Sequence, residues 1–545
     1  MNRILALLLA AVMLLGLLAG CGSNSQSSLA ASGAADVSVP GAVAADDVSQ
    51  ADDETAHWLS DETQTITVWD TWPAFFTTFD EAQQSPADTT LLQALEQRFN
   101  IKFDLTIANT EAASELFNIM AASGDYCDLI YGVSSHYVGG IEKAVNDGII
   151  VDAKPIIEES SPNYAALLEN KDIARSLTTD TGIVGGYAMI NTERAKRTTG
   201  GLIRGDWLEQ LNMEVPETTD EFYQTLCAFR DEMGASGALC VSSTGGFGSV
   251  SAAFAPIGLY VDNGTVKYGT DTLKDYYTYV HKLYTEGLIP QDFMTYTESQ
   301  KAPTELVVSG ATGVITDDYN NFVKYYEESM TDGGYFVALP DLVQNKGDTS
   351  IYQQIYSYID SSNYVSISTQ CSDPNMVGTV LDYCFSEEGQ ILGDYGIEGY
   401  TFDYDENGTP QYSEMITNNP NGAPSGISVL IYLDGCWPHL RNNDRLLYSL
   451  NERELACRQD WDTCYTSNEG TYPSSDVSFT NDELNVIGTY ETVLDTYMDE
   501  YYLRFLTGAS SVEEDFDAFI AGLESYHIDE LLTAYQSAYD RYLER

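Results

Sequence analysis

The sequence predicts an α/β protein with a mostly parallel sheet and helices on both of its faces. From Thr65 onward, short apolar stretches alternate with stretches of helical periodicity. Ile66 and Val68 indicate a strand, residues 91–99 have helical spacing, and residues 101–107 alternate apolar and polar side chains as a second strand does. This β-α-β order is typical of parallel sheets.

The same order continues along the chain. Residues 116–122 predict a helix that Gly124 ends, and residues 128–131 predict a short buried strand. Further on, residues 273–284 carry an apolar helical stripe, residues 310–318 and 364–368 read as strands, and the last fifty residues contain two helical patterns.

Composition limits the classes of partner. The 545 residues are 43% hydrophobic, enough for two or more folded domains. With 25 Lys and Arg against 83 Asp and Glu the formal net charge is −58, which disfavours nucleic acid and anionic lipid. The 38 tyrosines favour a partly wet binding surface for polar molecules.

The first residues predict a secreted, lipid-anchored protein. A basic start, the apolar run 4–20 and the Leu18-Ala19-Gly20-Cys21 sequence are typical of a bacterial lipoprotein signal, residues 1–21, with Cys21 as the lipidated residue. The alternative is a short transmembrane anchor. Residues 22–62 are small, polar and acidic, as in a flexible tether, so the folded part is expected outside the cytoplasm.

The remaining cysteines have no metal-binding spacing. Cys457 and Cys464 are near enough in sequence to form a disulfide outside the cell, and buried free thiols are the alternative.

Four segments in order resemble one family. The strongest, residues 202–226, reads LIRGDWLEQLNMEVPETTDEFYQTL; the others are residues 122–132, residues 384–408 and the terminal FLTGASSVEEDFDAFIAGL with YQSAYDRY. They resemble the family 1 extracellular solute-binding lipoproteins, which capture sugars for ABC importers. The long members that serve oligosaccharide uptake are the most similar.

The resemblance implies a two-lobed periplasmic-binding-protein fold of type II, with a hinge and a ligand cleft. Lobe 1 is expected to comprise residues 63–195 and about 355–400, and lobe 2 residues 196–354 and about 401–545. It also implies an oligosaccharide ligand, an ABC permease as partner, a monomer, no cofactor and no catalysis. Hinge closure on the ligand would create the surface that a permease binds.

Ligands of open α/β sheets lie at the carboxyl ends of strands, which selects the first candidate site residues. Trp69, Asp70 and Trp72 follow the first predicted strand and would offer rings and a carboxylate to a sugar, although core packing is an alternative for either tryptophan. Ser135 and Tyr137, in the loop after residues 128–131, are further candidates.

Other candidates come from the family motif and from later strands. Arg204, Asp206 and Trp207 are carried over as cleft or hinge residues, with Arg204 able to pair with a uronic acid. Weaker candidates complete the set: Asp318, Tyr319, Glu398 and Trp437.

Residues 403–414 also fit the spacing of an EF-hand calcium loop. Asp403, Asp405, Asn407 and Glu414 occupy ligand positions, and Gly408 the turn position. Alternating residues before Asn407-Gly408 instead predict a hairpin with a type I′ turn, so we expect no metal there.

Two other functions remain possible: a surface glycoside hydrolase, and a carbohydrate-sensing or adhesive lipoprotein without transport. The sequence has no HExxH, GxSxG or P-loop motif, which argues against an enzyme. The acidic charge weakly favours neutral oligosaccharides, although a local arginine can still bind an anionic one.

Overall fold

The structure is a computed structural model that describes residues 59–72, 79, 85–108, 112–194, 197–241, 248–295, 304–318, 322–350, 357–463, 471–473 and 476–545. The chain clusters into Met1–Asp52 and Asp53–Arg545, and the observations below concern the second unit. The predicted signal peptide with Cys21, the tether up to residue 58, Tyr319 and Cys464 lie outside the described residues.

Thirteen strands occur within these described ranges. In chain order they are β1 (Gln64–Thr71), β2 (Ile101–Ala108), β3 (Leu129–Tyr131), β4 (Tyr187–Asn191), β5 (Thr199–Arg204), β6 (Gly258–Asp262), β7 (Thr265–Gly269), β8 (Val314–Asp318), β9 (Phe336–Leu339), β10 (Ile359–Ile367), β11 (Phe402–Tyr404), β12 (Pro410–Tyr412) and β13 (Leu440–Arg441).

The larger sheet has six strands in the part of the chain that the structure describes, in the order β13-β4-β10-β3-β1-β2. β1 runs parallel to β2 and β3, and β13 parallel to β4, whereas β10 is antiparallel to both of its neighbours. The amino end of β10 therefore lies at the same edge as the carboxyl ends of the other strands. This edge is where ligands of open α/β sheets bind.

A smaller sheet is formed by β5, which pairs with β8 on one side and β9 on the other, antiparallel to both. Thr199, at the start of β5, is opposite Asp318, and Arg204, at its end, is opposite Phe336. β6 with β7 and β11 with β12 form two separate hairpins.

Helices cover both sheets. Their bounds are Thr90–Phe99, Ala113–Ser123, Val133–His136, Gly140–Asn146, Lys154–Ser160, Pro162–Leu167, Lys171–Leu177, Gly205–Leu211, Thr219–Asp231, Gly248–Ser251, Leu273–Thr285, Thr304–Val308, Phe322–Tyr325, Pro374–Tyr383, Glu387–Tyr395, Glu414–Thr417, Ser425–Val429, Glu452–Thr463, Asn481–Thr507, Val512–Ser525 and Ile528–Glu544. Short 3-10 turns and a π-helix, Leu430–Asp434, complete the described structure. None of the described helices is both long and apolar enough to cross a membrane.

Local signals in the sequence explain several helix ends. Gly124 ends the helix Ala113–Ser123 in the left-handed conformation, at φ 72°. Thr218 and Glu221 form a reciprocal capping box at the start of Thr219–Asp231. The predicted helices and strands of the first 130 residues are thus confirmed, as is the mixed α/β class.

Separate apolar cores support the two sheets. Leu91, Leu129 and Val365 belong to the core on one face of the larger sheet, and Ile130 to the core on the other. Next to the smaller sheet, the helix Leu273–Thr285 packs against the long helix Asn481–Thr507. The C-terminal helices therefore belong with the smaller sheet.

The segment after residue 401 contacts both sheets in turn. β13 pairs with β4, so residues Leu440 and Arg441 belong to the larger sheet. The helix Glu452–Thr463 then packs on β9 of the smaller sheet. The two-residue strand β13 leaves no periodic signal in the sequence, and the start of a second lobe at about residue 401 stays a prediction.

Candidate functional site

Polar side chains from four strands meet at the carboxyl edge of the larger sheet. The Arg441 guanidinium donates from Nε to Asn191 Oδ1 at 2.8 Å and from Nη2 to Asp360 Oδ2 at 3.1 Å. Asn363 Nδ2 donates to the same Asp360 oxygen at 3.0 Å, and the Tyr131 hydroxyl donates to Asn363 Oδ1. We call these residues, together with Asp70, the polar edge.

Asp70 is a buried carboxylate of the polar edge. Its carboxylate is almost fully buried and accepts the Thr71 backbone N–H at 2.6 Å. Burial raises the pKa of Asp70 to about 7, because the charged form loses its hydration and gains one backbone hydrogen bond in return. The protonated carboxyl is therefore well populated near neutral pH.

The two tryptophans beside Asp70 are core residues. Trp69 is 4% exposed, and its ring centre lies 5.4 Å from that of Phe117. Trp72 is 5% exposed and belongs to an apolar cluster with Tyr395 and Phe402. This corrects the expectation that they form an open stacking surface; β1 extends to Thr71, so Trp69 lies within the strand and not after it.

A cavity of about 400 Å³ opens beside the carboxyl end of β3. The short helix Val133–His136 with the residues that follow it and the start of the helix Gly140–Asn146 line one part of the cavity, and residues 476–479, Leu484 and Arg545 line another. Its lining is rich in hydroxyl and aromatic groups: Ser134, Ser135, Tyr137, Ser176, Thr178, Thr179, Tyr364, Ser478 and Phe479. We call it the main cavity.

Two predicted site residues, Ser135 and Tyr137, line the main cavity. The Tyr137 hydroxyl donates to the Asp147 carboxylate, and Lys143 Nζ donates to the Tyr137 hydroxyl at 3.2 Å. Burial, reinforced by the Asp147 carboxylate, raises the pKa of Tyr137, so its hydroxyl stays protonated. These bonds fix the ring at the wall of the cavity; its role in binding remains a prediction.

Arg204, Asp206 and Trp207 lie elsewhere. Arg204 is 1% exposed, forms ion pairs with Asp206 at 2.7 Å and Asp332 at 3.3 Å, and lies over the Trp207 ring at 4.5 Å. The group is at the end of β5 that is far from the polypeptide connection to the larger sheet. The charge of Arg204 is thus neutralised within the smaller sheet, and the role of these residues in a cleft or hinge stays a prediction.

The weaker candidates are dispersed. Asp318 is opposite Thr199 at the other end of β5 from Arg204. Glu398 is exposed in the turn before β11, where its backbone bridges to Phe402. Trp437 is 1% exposed and packs against Phe103, so it is a core residue and not a ligand contact.

Residues 402–412 form the predicted hairpin, with a different turn. The Gly408 N–H donates to the Asp405 carbonyl at 3.0 Å, which places Glu406 and Asn407 at the centre of the turn. Gly408 has a φ of 78°, whereas Asn407 is not in the left-handed region, so the predicted type I′ turn is wrong.

Asp405 Oδ1 accepts the N–H groups of Asn407 and Thr409, each at 2.8 Å, so this carboxylate closes the turn itself. Among the residues the structure describes, no group of three or more His, Cys, Asp or Glu is arranged to hold a metal ion. The spacing of Asp403, Asp405, Asn407 and Glu414 is thus that of a β-hairpin.

The cysteines that the structure describes are free thiols. Three of the seven are buried, among them Cys457, whose predicted partner Cys464 lies outside the described residues.

Several lining residues of the main cavity were not predicted. Residues 176–179, which end the helix Lys171–Leu177, and residues 476–479 contribute hydroxyls and a ring. The hydroxyl-rich run Ser176-Leu177-Thr178-Thr179 is the one local signal that marks them. Their contact with residues some 300 positions away follows only from the fold.

Curated proteins related to the chain are binding proteins and lipoproteins. It is 26% identical to lipoprotein LipO of Bacillus subtilis over 59% of its own length and 65% of LipO, slightly under two thirds. It is 23% identical to the polygalacturonan/rhamnogalacturonan-binding protein YtcQ of the same organism, over 84% of this chain and 89% of YtcQ. It is 26% identical to the fructooligosaccharide ABC transporter substrate-binding protein FusA of Streptococcus pneumoniae, over 27% of this chain and 28% of FusA.

Solved structures share the fold. The alginate-binding protein AlgQ2 superposes with a TM-score of 0.69 at 18% identity, over 89% of this chain and 99% of AlgQ2. An HMO-binding, ABC-transporter-associated solute-binding protein from Bifidobacterium longum infantis superposes with a TM-score of 0.71 at 18% identity, over 88% of this chain and 99% of that protein. None of the protein-family models compared with the sequence matches it. The chain thus has the fold of solved solute-binding proteins and is similar in sequence to curated lipoproteins and ABC-transporter substrate-binding proteins.

Proposed function

We propose that the chain captures an oligosaccharide in the main cavity and delivers it to an ABC permease. The observation that carries this proposal is the cavity of about 400 Å³, whose walls come from the short helix after β3 with the residues that follow it and from residues 476–479 with Leu484. Its volume lies in the range of small-molecule sites, roughly 300 to 1,000 Å³. Both walls must therefore meet the same ligand.

The lining suits a sugar. Hydroxyls of serine and threonine exchange hydrogen bonds with sugar hydroxyls, and the rings of Tyr137, Tyr364 and Phe479 offer apolar faces for sugar C–H groups. Peptide ligands would require partners for a row of backbone N–H and C=O groups, and this lining has few amide side chains. The related YtcQ and FusA, which are named for polysaccharide and fructooligosaccharide, support the same ligand class.

Movement between two lobes would open and close the cavity. We assign residues 63–195 and about 355–441 to lobe 1, and residues 196–354 and about 442–545 to lobe 2, with one sheet in each. Arg197 and Asp341, on two of the chain segments that connect the sheets, form a buried ion pair at 2.7 Å. Such a pair would keep these segments together while the lobes rotate.

Cellular context completes the proposal. Lipidation of Cys21 and the acidic tether would hold the binding unit outside the cytoplasmic membrane, where a monomer delivers its ligand to the permease. The chain itself would not alter the ligand, so purified protein should leave every bound oligosaccharide intact.

Calorimetric titration of the mature chain tests this function. Neutral and uronic oligosaccharides and, as a control class, short peptides are titrated into the protein. We expect binding of one saccharide class, and a weakening of about 5- to 30-fold in Tyr137→Ala, the scale of a lost aromatic contact.

Tyr404→Ala is the matched control, because Tyr404 is exposed on the β11–β12 hairpin and does not line the cavity. Peptide binding without saccharide binding would overturn the proposal. So would equal saccharide affinities for the parent chain and Tyr137→Ala.

A further inference from the structure

A second cavity of about 220 Å³ lies beside the main cavity. Ser176 and Asp476 line both cavities, and the Ser176 hydroxyl donates to Asp476 Oδ2 at 2.6 Å at their boundary. The other lining residues of this side cavity are Asp172, Arg175, Arg194, Ser357, Tyr358, Thr471, Pro473, Tyr539, Tyr542 and Leu543. The two spaces therefore adjoin, and a chain-like ligand that occupies both would pass this hydrogen-bonded pair.

Arg175 is an unusual member of the side cavity. Its guanidinium forms no ion pair with any residue that the structure describes. Its Nε is buried and has no hydrogen-bond acceptor among those residues. The Tyr542 ring centre lies 5.6 Å from the guanidinium carbon and holds the side chain by a cation–π contact. The position of the charge is thus fixed, while its capacity to pair with an anion is unused.

The other arginines around the two cavities are neutralised. Arg194 pairs with Asp172 at 2.8 Å, and Arg545 pairs with Asp180 at 2.6 Å. At the polar edge, Arg441 pairs with Asp360 at 3.1 Å. In a chain with 83 acidic residues against 25 basic ones, an arginine at a cavity with no acidic partner among the described residues requires an explanation.

The acids of the side cavity do not supply that partner. Asp172 is bound to Arg194, and Asp476 accepts the Ser176 hydroxyl. Three tyrosines, Tyr358, Tyr539 and Tyr542, surround the space with aromatic rings. Within the part of the chain that the structure describes, the side cavity therefore combines flat rings with one cation that has no counter-charge, which are the groups that an acidic sugar residue requires.

We propose that the side cavity holds one uronic acid residue of the bound oligosaccharide, with its carboxylate paired to Arg175. This assignment rests on the proposed saccharide function and names the substrate class. The volume, below the roughly 300 Å³ at which sites for drug-sized molecules begin, fits a single sugar unit of a longer ligand. The net charge of −58 opposes an anion at long range, but salt screens that field within about 8 to 10 Å, whereas a contact pair in a cavity is screened less.

The test compares three probes of equal length: a short uronic oligosaccharide, its fully methyl-esterified form, and a neutral oligosaccharide. Each is titrated calorimetrically into the parent chain, Arg175→Gln and Arg175→Lys. We expect the parent chain to bind the uronic probe at least about tenfold more tightly than its ester, the scale of one charge-assisted pair. Arg175→Gln should abolish that difference, and Arg175→Lys should retain part of it.

Arg98→Gln is the matched control. Arg98 also has a buried Nε without an acceptor and lies over a tyrosine ring, that of Tyr383, but it is paired with Glu388 and lines neither cavity. Its substitution should leave the preference for the uronic probe unchanged.

Equal affinities of the parent chain for the uronic probe and its ester would overturn the assignment without any variant. Binding of the neutral probe alone would overturn it too and leave the saccharide function standing. Failure of all three probes, and of every other saccharide, would instead reject the proposed function itself.

Discussion

Arg204 and Asp206 form a two-point ion pair across the first turn of the helix Gly205–Leu211. Arg204 Nε donates to Asp206 Oδ1 and Nη2 donates to Oδ2, each at 2.7 Å. The parallel geometry matches the guanidinium fork to the carboxylate. Since Asp206 Oδ1 also accepts the Tyr335 N–H at 3.3 Å, the pair links the helix to the neighbouring strand β9.

We therefore expect Asp206→Asn to lower the free energy of unfolding by about 2 to 4 kcal/mol, because it leaves the buried Arg204 charge poorly compensated. Saccharide affinity of the folded protein should not change. Urea unfolding and titration measure the two effects. Asp332→Asn is the control: this carboxylate is 63% exposed, so its loss should cost less than about 1 kcal/mol. If Asp206→Asn weakened saccharide binding and left the free energy of unfolding unchanged, Arg204 and Asp206 would be binding residues after all.

Trp69→Ala should act on stability and not directly on binding. Its indole packs between Phe117 and His136, with ring centres 5.4 and 5.9 Å away. Emptying this site should cost about 3 to 5 kcal/mol in the free energy of unfolding, and Trp69→Phe clearly less. Titration under conditions where the variant stays folded checks the binding. A stable Trp69→Ala protein that has lost affinity would contradict this assignment.

Gly205 and Gly488 should respond in opposite directions to alanine. A Cβ at Gly205 would collide with the Tyr335 ring and lie 3.0 Å from Val337 Cγ1, so Gly205→Ala should destabilise by about 1 to 3 kcal/mol. A Cβ at Gly488, inside the helix Asn481–Thr507, would meet no heavy atom within 4 Å. Gly488→Ala should therefore stabilise by about 0.5 to 1 kcal/mol. Thermal and urea unfolding of both variants measure these changes in stability. Equal changes for Gly205→Ala and Gly488→Ala would show that the Tyr335 ring moves to make room for the Cβ atom.

The stability of the chain should depend on the protonation of Asp70. Burial raises the pKa of Asp70 in the folded chain from 3.8 to about 7, whereas the unfolded chain keeps the ordinary value. Between about pH 4 and 7 the folded chain thus binds more protons than the unfolded chain. Protonation of Asp70 therefore stabilises the folded chain fully below about pH 4, and this stabilisation is lost as the pH rises to about 7.

The Asp70→Asn variant lacks the titrating carboxyl. A comparison of this variant with the parent chain therefore separates the effect of Asp70 on stability from that of the other titrating groups. The stability of the parent chain relative to Asp70→Asn should fall by a few kcal/mol between about pH 4.5 and 7.5, as measured by urea unfolding. Glu454→Gln provides a second case, because burial also raises the pKa of Glu454 to about 7. A constant difference between parent and Asp70→Asn across this range would contradict the raised pKa.

The features that the sequence predicted correctly are those set by residues that are near one another in the chain. The capping box of Thr218 and Glu221 and the stop at Gly124 involve neighbours within a few residues, so the sequence alone reveals them. The strand ends were less certain: Trp69 was predicted to follow β1 but lies inside it, opposite Thr106 and Ile130. A one- or two-residue error of this kind moves a ring from the site to the core.

The site itself depends on long-range contacts. Ser176 meets Asp476 across 300 residues, and Arg545 donates to the Arg175 carbonyl across 370. No periodicity links such segments, and only the fold shows that Arg175 has no ion-pair partner among the described residues. The family resemblance supplied the two-lobed architecture, but it directed attention to Arg204, whose charge the protein already neutralises.

The burial of the described tryptophan rings limits what the intrinsic fluorescence of the protein can report. Five of the six tryptophans are described, and none of the five is more than 5% exposed. Trp461 lies against the backbone of Gly200 and 5.8 Å from the Arg197 guanidinium carbon, next to a segment that joins the two sheets. Among the described tryptophans, a change in fluorescence on adding a sugar would therefore report a rearrangement around a buried ring, such as that of Trp461 beside this segment, rather than direct contact between the sugar and an exposed indole.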